Sequence, residues 1–468
     1  MTKGLDGVVM NYCELRKKYN SFLYRGYTVT EDSSRIYIEY DFSIEGLSDF
    51  HPTWSFKKNT SECIKEDRIL NQLIFSLGMT ELVSYWKIAC PQNVKVNKKN
   101  IDNNEALWWK KLYFNGLGEF FYINNIEPNF DEFMKISGVE TKNKYSDIYN
   151  TQLSGSLIPI GGGKDSDVTL ALLREQAPNN VCYMINNRPS SQKAMEIAGF
   201  TSDRQLTAYR TLDKNMLELN RQGYLNGHTP FSAIVAFSAT IEAYLMGKKY
   251  VVLSNESSAN ESTVANSSVN HQYSKSYEFE SDFREYISQY TDCKVKYFSF
   301  LRPLEEIQIA HIFSKYNKFH KVFRSCNRGS KEDKWCCNCA KCLFVYIILS
   351  PFLSTEKMVE IFSENLLDKE SLKDTFEQLI GIQENKPFEC VGSQSEGKRA
   401  LNTLYKRLID EKEKIPKLLE YYASYFNLNV ENLETYNIDE YYDDNNSLPQ
   451  EFDDILRNEI RVISLNEQ

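Results

Sequence analysis

Residues 156–173 read SLIPIGGGKDSDVTLALL, and this stretch decides the fold. Ser156 to Ile160 suit a buried strand. Three glycines follow, then Lys164, Asp165 and Ser166, then an apolar pattern of helical period. The reading is a strand, a loop of phosphate size and a helix. Gly161, Gly162 and Gly163 allow a sharp turn that brings backbone N–H groups close to an anion, and the helix start adds the positive end of its dipole. Lys164 supplies a point charge and Ser166 a hydroxyl. A Walker loop is excluded. It needs a glycine separated by four residues from its Gly-Lys pair and a Ser or Thr after the lysine, where this chain has Ile158 and Asp165.

Outward from this stretch, a domain of residues 151–350 that includes the cysteine loop is expected, and within it residues 156 to about 304 alternate strand and helix. Strands are expected at 181–185, 249–253 and 294–300, and helices at 190–198, 231–246 and 278–290. That alternation predicts an α/β domain with a parallel sheet, whose ligand lies beyond the carboxyl ends of the strands. The residues there are Gly161 to Ser166, Asn186 to Arg188 and Ser254 to Glu256. Arg188 suits a carboxylate or phosphate clamp and equally a surface salt bridge. His228, in the NGHTP turn, is a ligand contact or a turn residue. The Ser/Asn-rich loop 254–276 has the composition of a solvated linker, yet it closes with His271, Tyr273 and Lys275, as a lid or binding loop would.

Residues 1–150 read as a separate α+β domain. Positions 35–44 alternate as a half-buried strand, a helical pattern runs from Ile69 to Gly78, and a second runs from Glu81 to near Pro91. Trp108, Trp109 and the run GLGEFFY at 116–122 form either core or a wall against a large substrate. Residues 142–154 are the expected linker, and 351–468 a helical region in which KPFECVG (386–392) sets Glu389 beside Cys390. The acidic run 439–446 reads as a solvated loop.

Five of the eleven cysteines crowd between 326 and 342. Cys336, Cys339 and Cys342 are spaced with two intervening residues each, and Cys326 lies across a polar loop that can fold back. Four thiolates complete a tetrahedral structural zinc site with Cys337 spare. An iron–sulfur cluster uses similar ligands, and a redox or packing role stays open. The formal charge of −9 disfavours a nucleic acid partner. The N-terminus lacks a signal-peptide pattern and no apolar run reaches the ~20 residues needed to cross a bilayer. A cytoplasmic chain without a membrane partner is expected.

GGGKDS at 161–166 follows the pattern of the ATP pyrophosphatase loop of enzymes that cleave ATP to AMP and pyrophosphate. Taken with NGH (226–228), SNE (254–256), NHQYSKS (270–276), the cysteine cluster, PFECVG (387–392) and GLGEFFY, it makes the chain resemble the ATP-dependent UDP-N-acetylmuramoyl-L-alanyl-L-glutamate epimerases of peptidoglycan synthesis. The resemblance implies an adenine nucleotide alpha hydrolase-like core and inversion of a terminal L-glutamate through an acyl-adenylate. It also implies ATP, Mg²⁺ and structural Zn²⁺. In that scheme Gly161, Gly162, Gly163 and Ser166 hold phosphates, Lys164 neutralises them and Asp165 places Mg²⁺. His271 and Lys275 transfer protons, with Glu256 and Glu389 as further candidates. Arg188, His228, Asn255 and Tyr273 contact the UDP-linked muramoyl dipeptide. Cys337 stands where the family commonly has glycine, and 186–191 (NNRPSS) matches it less well. The 7-cyano-7-deazaguanine synthases are a more distant likeness. Two rival readings follow: another adenylating enzyme, or another peptide ending in L-glutamate. A binding protein with a degenerate nucleotide site is a third. The oligomeric state is left open.

Overall fold

The computed structural model describes residues 11–60, 63–97, 99–139, 152–260, 272–326, 328–329, 332–383, 386–387, 389 and 391–467. The protein is α/β, with a large mixed sheet and many helices. Its strands are β1 (Ser21–Glu31), β2 (Arg35–Ile44), β3 (Ser48–Phe50), β4 (Thr53–Lys57), β5 (Asn93–Asn97) and β6 (Lys135–Val139). They continue with β7 (Ser156–Pro159), β8 (Val181–Ile185), β9 (Gln205–Thr211), β10 (Tyr250–Leu253) and β11 (Lys296–Ser299). The chain forms two compact units. The first takes residues up to Leu157, Leu206–Val251 and Gln272–Tyr297; the second takes Ile158–Gln205, Val252–His271 and Phe298–Gln468.

In the first unit the strand order is β9-β4-β2-β1-β5-β6, with β3 paired to β2. The β9-β4-β2-β1 pairs are antiparallel, while β5 pairs in parallel with β1 and β6. The alternation in β2 has the expected result. Ile36, Ile38, Tyr40, Phe42 and Ile44 are buried. One expectation fails here. Two helical stretches were predicted on either side of Gly78, but a single helix runs over Arg68–Trp86. A Cβ on Gly78 would lie 2.6 Å from the Tyr24 and Tyr40 rings, so this glycine admits two aromatic side chains and does not end the helix. The strand β9 was not anticipated either, because QLTAYRT alternates too weakly to stand out.

Trp108 and Trp109 belong to an aromatic cluster of this unit. Trp109 is fully buried and stacks on Phe237 at 5.5 Å, and Trp108 meets Tyr286 at 4.4 Å. Core packing is therefore the role of this pair. Glu242 is also fully enclosed, on the Phe231–Leu245 helix, where one oxygen accepts from the Lys57 N–H at 3.2 Å. Burial pushes its carboxyl up from 4.5 to about 8. Between those values the unfolded chain ionises while the folded one stays protonated, so stability falls as pH rises, by about 1.4 kcal/mol per pH unit. Urea unfolding of Glu242→Gln between pH 5 and 8 should lack this slope; an unchanged slope would show that the group titrates normally.

In the second unit the order is β11-β10-β7-β8. β7 and β10 run parallel, Ile160 N–H donates to Tyr183 O, and Phe300 N–H donates to Leu253 O. The loops that follow β7, β8 and β10 therefore leave neighbouring strands. Helices fill the rest of this unit. The Glu306–Ser314 helix and the Ala340–Leu349 helix are buried along their whole lengths. The acidic run 439–446 is a loop, as expected, but it is anchored. Gln308 donates to Ile438 O and Tyr441 O at 2.8 Å, and Asp443 N–H donates to Pro303 O. Among the described residues no helix is long and apolar enough to cross a membrane.

Candidate functional site

β7 delivers the chain into the glycine loop, and each glycine meets a different constraint. Gly162 has φ +78°, the left-handed region, and a Cβ there would lie 2.4 Å from Ser190 Oγ. At Gly163 a Cβ would lie 2.6 Å from Ser325 Oγ, whereas Gly161 faces open space. Gly162 O also accepts from Arg324 N–H at 2.6 Å, which pins the loop. The Lys164–Leu173 helix begins directly after it, with Gly163 as a cap that has no side chain to satisfy the first-turn N–H groups. Those donors suit an anion. Ser166 donates its hydroxyl to Gly163 O at 2.9 Å and is buried.

Lys164 is fully buried, and its ammonium is held by Asp165 and by Glu306. Burial alone would depress its pKa, but the two carboxylates outweigh this and raise it above the usual lysine value. Glu306 opens the Glu306–Ser314 helix, whose start is fixed by a capping box of Glu305 and Gln308. Asp165, Glu256 and Glu306 each bring a carboxylate oxygen to within 4.8 Å of the others. Three hard oxygen donors in one place can hold a divalent cation such as Mg²⁺. Arg302 reinforces the cluster from behind, donating to Glu256 O at 2.6 Å.

Glu306 was not among the residues singled out from sequence. It lies just beyond β11, where the rule that ligands gather after the strands would have found it, had the rule been applied to that strand too. Asn255, after β10, is buried and donates to Ser299 Oγ at 3.0 Å. Arg188, after β8, is exposed at the cap of the Pro189–Ile197 helix.

The four expected cysteines converge. Cys326, Cys336, Cys339 and Cys342 bring their sulfurs within 4.8 Å of one another. Cys342 lies 3.7 Å from Cys336 and 3.5 Å from Cys339. A tetrahedron with Zn–S of ~2.3 Å has edges of about 3.8 Å, whereas a disulfide would need ~2.05 Å, so the set fits a metal. The hydrogen bond with Cys342 lowers the pKa of the Cys339 thiol. Gly329 and Cys336 donate their N–H groups to Cys326 Sγ. Cys337 turns away and donates to Phe362 O at 3.0 Å. Its φ is +51°, the left-handed region that favours glycine. Glu389 is half-buried beside this loop and accepts the Lys341 N–H at 2.7 Å. Burial first, then the Cys339 charge, raises its pKa.

His228, Tyr273 and Lys275 lie in the first unit. His228 Nδ1 is 3.8 Å from Glu119 Oε2, so the NGH turn meets the GLGEFFY run. A Cβ on Gly227 would lie 3.1 Å from the Phe120 ring, which explains the glycine. Lys87 donates to Gly227 O at 2.6 Å, and burial brings its pKa down to about 8. Tyr273 is buried, 3.5 Å from Asp282. Lys275 closes the same short turn and is partly exposed. His271 lies outside the described residues.

Comparison with known proteins covers most of the chain. Residues 14–300 match the family model described as MurL N-terminal domain, and 322–425 match the one described as MurL C-terminal domain. Relatives named UDP-N-acetyl-alpha-D-muramoyl-L-alanyl-L-glutamate epimerase are similar in sequence. One from Xanthomonas oryzae pv. oryzae is 34% identical over 346 residues, 72% of this chain and 75% of the relative. Another, from a Micromonospora strain, is 32% identical over 343 residues, 72% and 75% respectively.

Proposed function

The chain belongs to the UDP-N-acetyl-alpha-D-muramoyl-L-alanyl-L-glutamate epimerase family, and we propose that it inverts the terminal L-glutamate of that muramoyl dipeptide in an ATP-consuming reaction. The observation that carries the ATP part is the convergence of Lys164, Asp165, Glu256 and Glu306 at the glycine loop. β7, β8, β10 and β11 with their helices are then the ATP pyrophosphatase-type core.

ATP is a substrate in this scheme. The α-proton of a free glutamate carboxylate is hard to remove, because a second negative charge would form beside the first. If a carboxylate oxygen attacks the α-phosphorus, the bond to the β-phosphate breaks and pyrophosphate leaves with its electron pair. The resulting acyl-adenylate carries no charge on the α-carboxyl carbon's oxygens, while the side-chain carboxylate is unchanged, so a base can take the α-proton. A proton then returns on the opposite face, water adds to the acyl carbon, and AMP leaves.

The loop N–H groups from Gly161 to Gly163 hold phosphate oxygens, and Lys164 balances the charge that develops as pyrophosphate departs. Bound Mg²⁺ would shield the same charge, and Asp165, Glu256 and Glu306 are the residues to hold it. Proton transfer stays with His271 and Lys275, since Glu256 belongs to the carboxylate cluster and Glu389 to the cysteine loop. Arg188, Asn255, His228 and Tyr273 remain the substrate contacts of this reading, and Zn²⁺ the metal of the cysteine site. ATP and a UDP-linked precursor place the reaction in the cytoplasm.

The test is pyrophosphate release with ATP, Mg²⁺ and UDP-N-acetylmuramoyl-L-alanyl-L-glutamate in deuterated buffer, followed by chiral analysis of the glutamate. The expected result is pyrophosphate together with D-glutamate deuterated at the α-carbon. Pyrophosphate with undeuterated L-glutamate would replace epimerisation by another adenylating reaction.

A further inference from the structure

Lys341 lies inside the cysteine motif, between Cys339 and Cys342 in the run CAKC, and has no part in the scheme above. Cys339 is the N-cap of the Ala340–Leu349 helix, so Lys341 occupies the first turn. Its backbone N–H, one of the donors a helix start leaves over, is taken by Glu389. Its side chain does not go to solvent. It is 9% exposed, and its ammonium lies 3.7 Å from Glu306 Oε1. The other oxygen of that carboxylate holds Lys164.

Two lysines from distant motifs therefore flank one carboxylate of the candidate Mg²⁺ cluster. A buried ammonium needs a counter-charge, and Glu306 supplies it. At 3.7 Å the contact is an ion pair beyond hydrogen-bond length, so it leaves the N–H donors of Lys341 free for an anion. Three carboxylates with two ammonium groups, Lys164 and Lys341, make a site that can receive a metal–phosphate complex without a large excess of either sign.

We propose that Lys341 is a second phosphate-binding lysine for the pyrophosphate portion of ATP, and that the cysteine site, by fixing the residues on both sides of it, couples metal content to ATP affinity. The proposal rests on the ATP reading above. It gives the cysteine site a role in nucleotide binding besides its local one in folding.

The experiment is calorimetric titration of the full-length protein with ATP, inorganic pyrophosphate and AMP in Mg²⁺, with metal content and melting temperature measured on the same samples. Lys341→Met should weaken ATP and pyrophosphate by about 10- to 100-fold, the size of a lost charge-assisted contact. AMP should change less than about threefold, metal content should stay at that of the parent, and Lys341→Arg should recover part of the loss. If Lys341→Met folds poorly, Lys341→Gln carries the same comparison. Removing the cysteine-bound metal from the parent with a chelator should weaken ATP by a similar factor, and removing it from Lys341→Met should add little. Unchanged ATP affinity in Lys341→Met and Lys341→Gln overturns the proposal, as does an equal loss for AMP. Equal effects of metal removal in parent and variant overturn the coupling. If the parent itself binds no ATP, the ATP reading falls and this proposal with it.

Discussion

Lys164→Met should lower pyrophosphate release by at least ~100-fold and cost about 3 kcal/mol of folding stability. The two losses have different causes. The side chain is fully buried between Asp165 and Glu306, so removing it takes the closest ammonium from the enclosed Glu306 and leaves the more distant Lys341 beside it. Breaking one side of a buried pair is expensive because the remaining charge keeps its desolvation cost. The activity loss comes from charge that has no cation to meet as pyrophosphate leaves.

The double variant Lys164→Met, Glu306→Gln separates these causes. Urea unfolding should show part of the lost stability recovered, since the enclosed Glu306 carboxylate is gone although Lys341 loses its counter-charge, while pyrophosphate release stays as low as in the single variant. Recovery of both would mean that Lys164 only balances Glu306. Near-parental turnover in Lys164→Met would remove the glycine loop from the chemistry altogether.

The second large effect belongs to the cysteines. Cys339→Ser should lose the bound metal and more than about 4 kcal/mol of stability, because metal-binding free energy becomes folding free energy in a loop with little apolar content. The Ala340–Leu349 helix starts at Cys339 and is wholly buried, so faster amide exchange should spread from residues 332–342 into that helix. Cys337→Ser is the control. Its thiol points to Phe362 O, so metal content should stay at one per chain. Elemental analysis identifies the metal, and zinc gives a colourless protein where an iron–sulfur cluster absorbs visible light. A Cys339→Ser protein that keeps its metal would require a different ligand set.

Much of this was legible in the sequence where the information is local. The alternation from Arg35 to Ile44 predicted both the strand and its buried face, because a period of two leaves one set of side chains on each side. GGGKDS announced a tight turn before a helix, and the structure places a positive φ at Gly162 and the helix start at Lys164. The spacing of Cys336, Cys339 and Cys342 limited how far apart their sulfurs can lie, and Cys326 needed only a short loop to join them.

Other features were not legible, for reasons of packing. Gly78 looked like a helix stop by composition, but two tyrosines from β1 and β2 occupy the space beside it. Nor does the sequence around His228 show that Glu119 lies beside it, since that pairing depends on how the NGH turn packs.

What the sequence alone determined is local: a tight glycine turn running into a helix that starts at a lysine and an acid, four cysteines spaced so that their sulfurs can meet, and an α/β arrangement that puts loops at strand ends. These follow from backbone geometry and ligand type within a few residues. Only the tertiary structure decided which charges meet. Lys164 finds Glu306 across 142 residues, and Lys341 reaches the same carboxylate from the cysteine loop. A buried charge must be paired, but nothing in its own neighbourhood of sequence says with what; that is settled by which helices the core brings together.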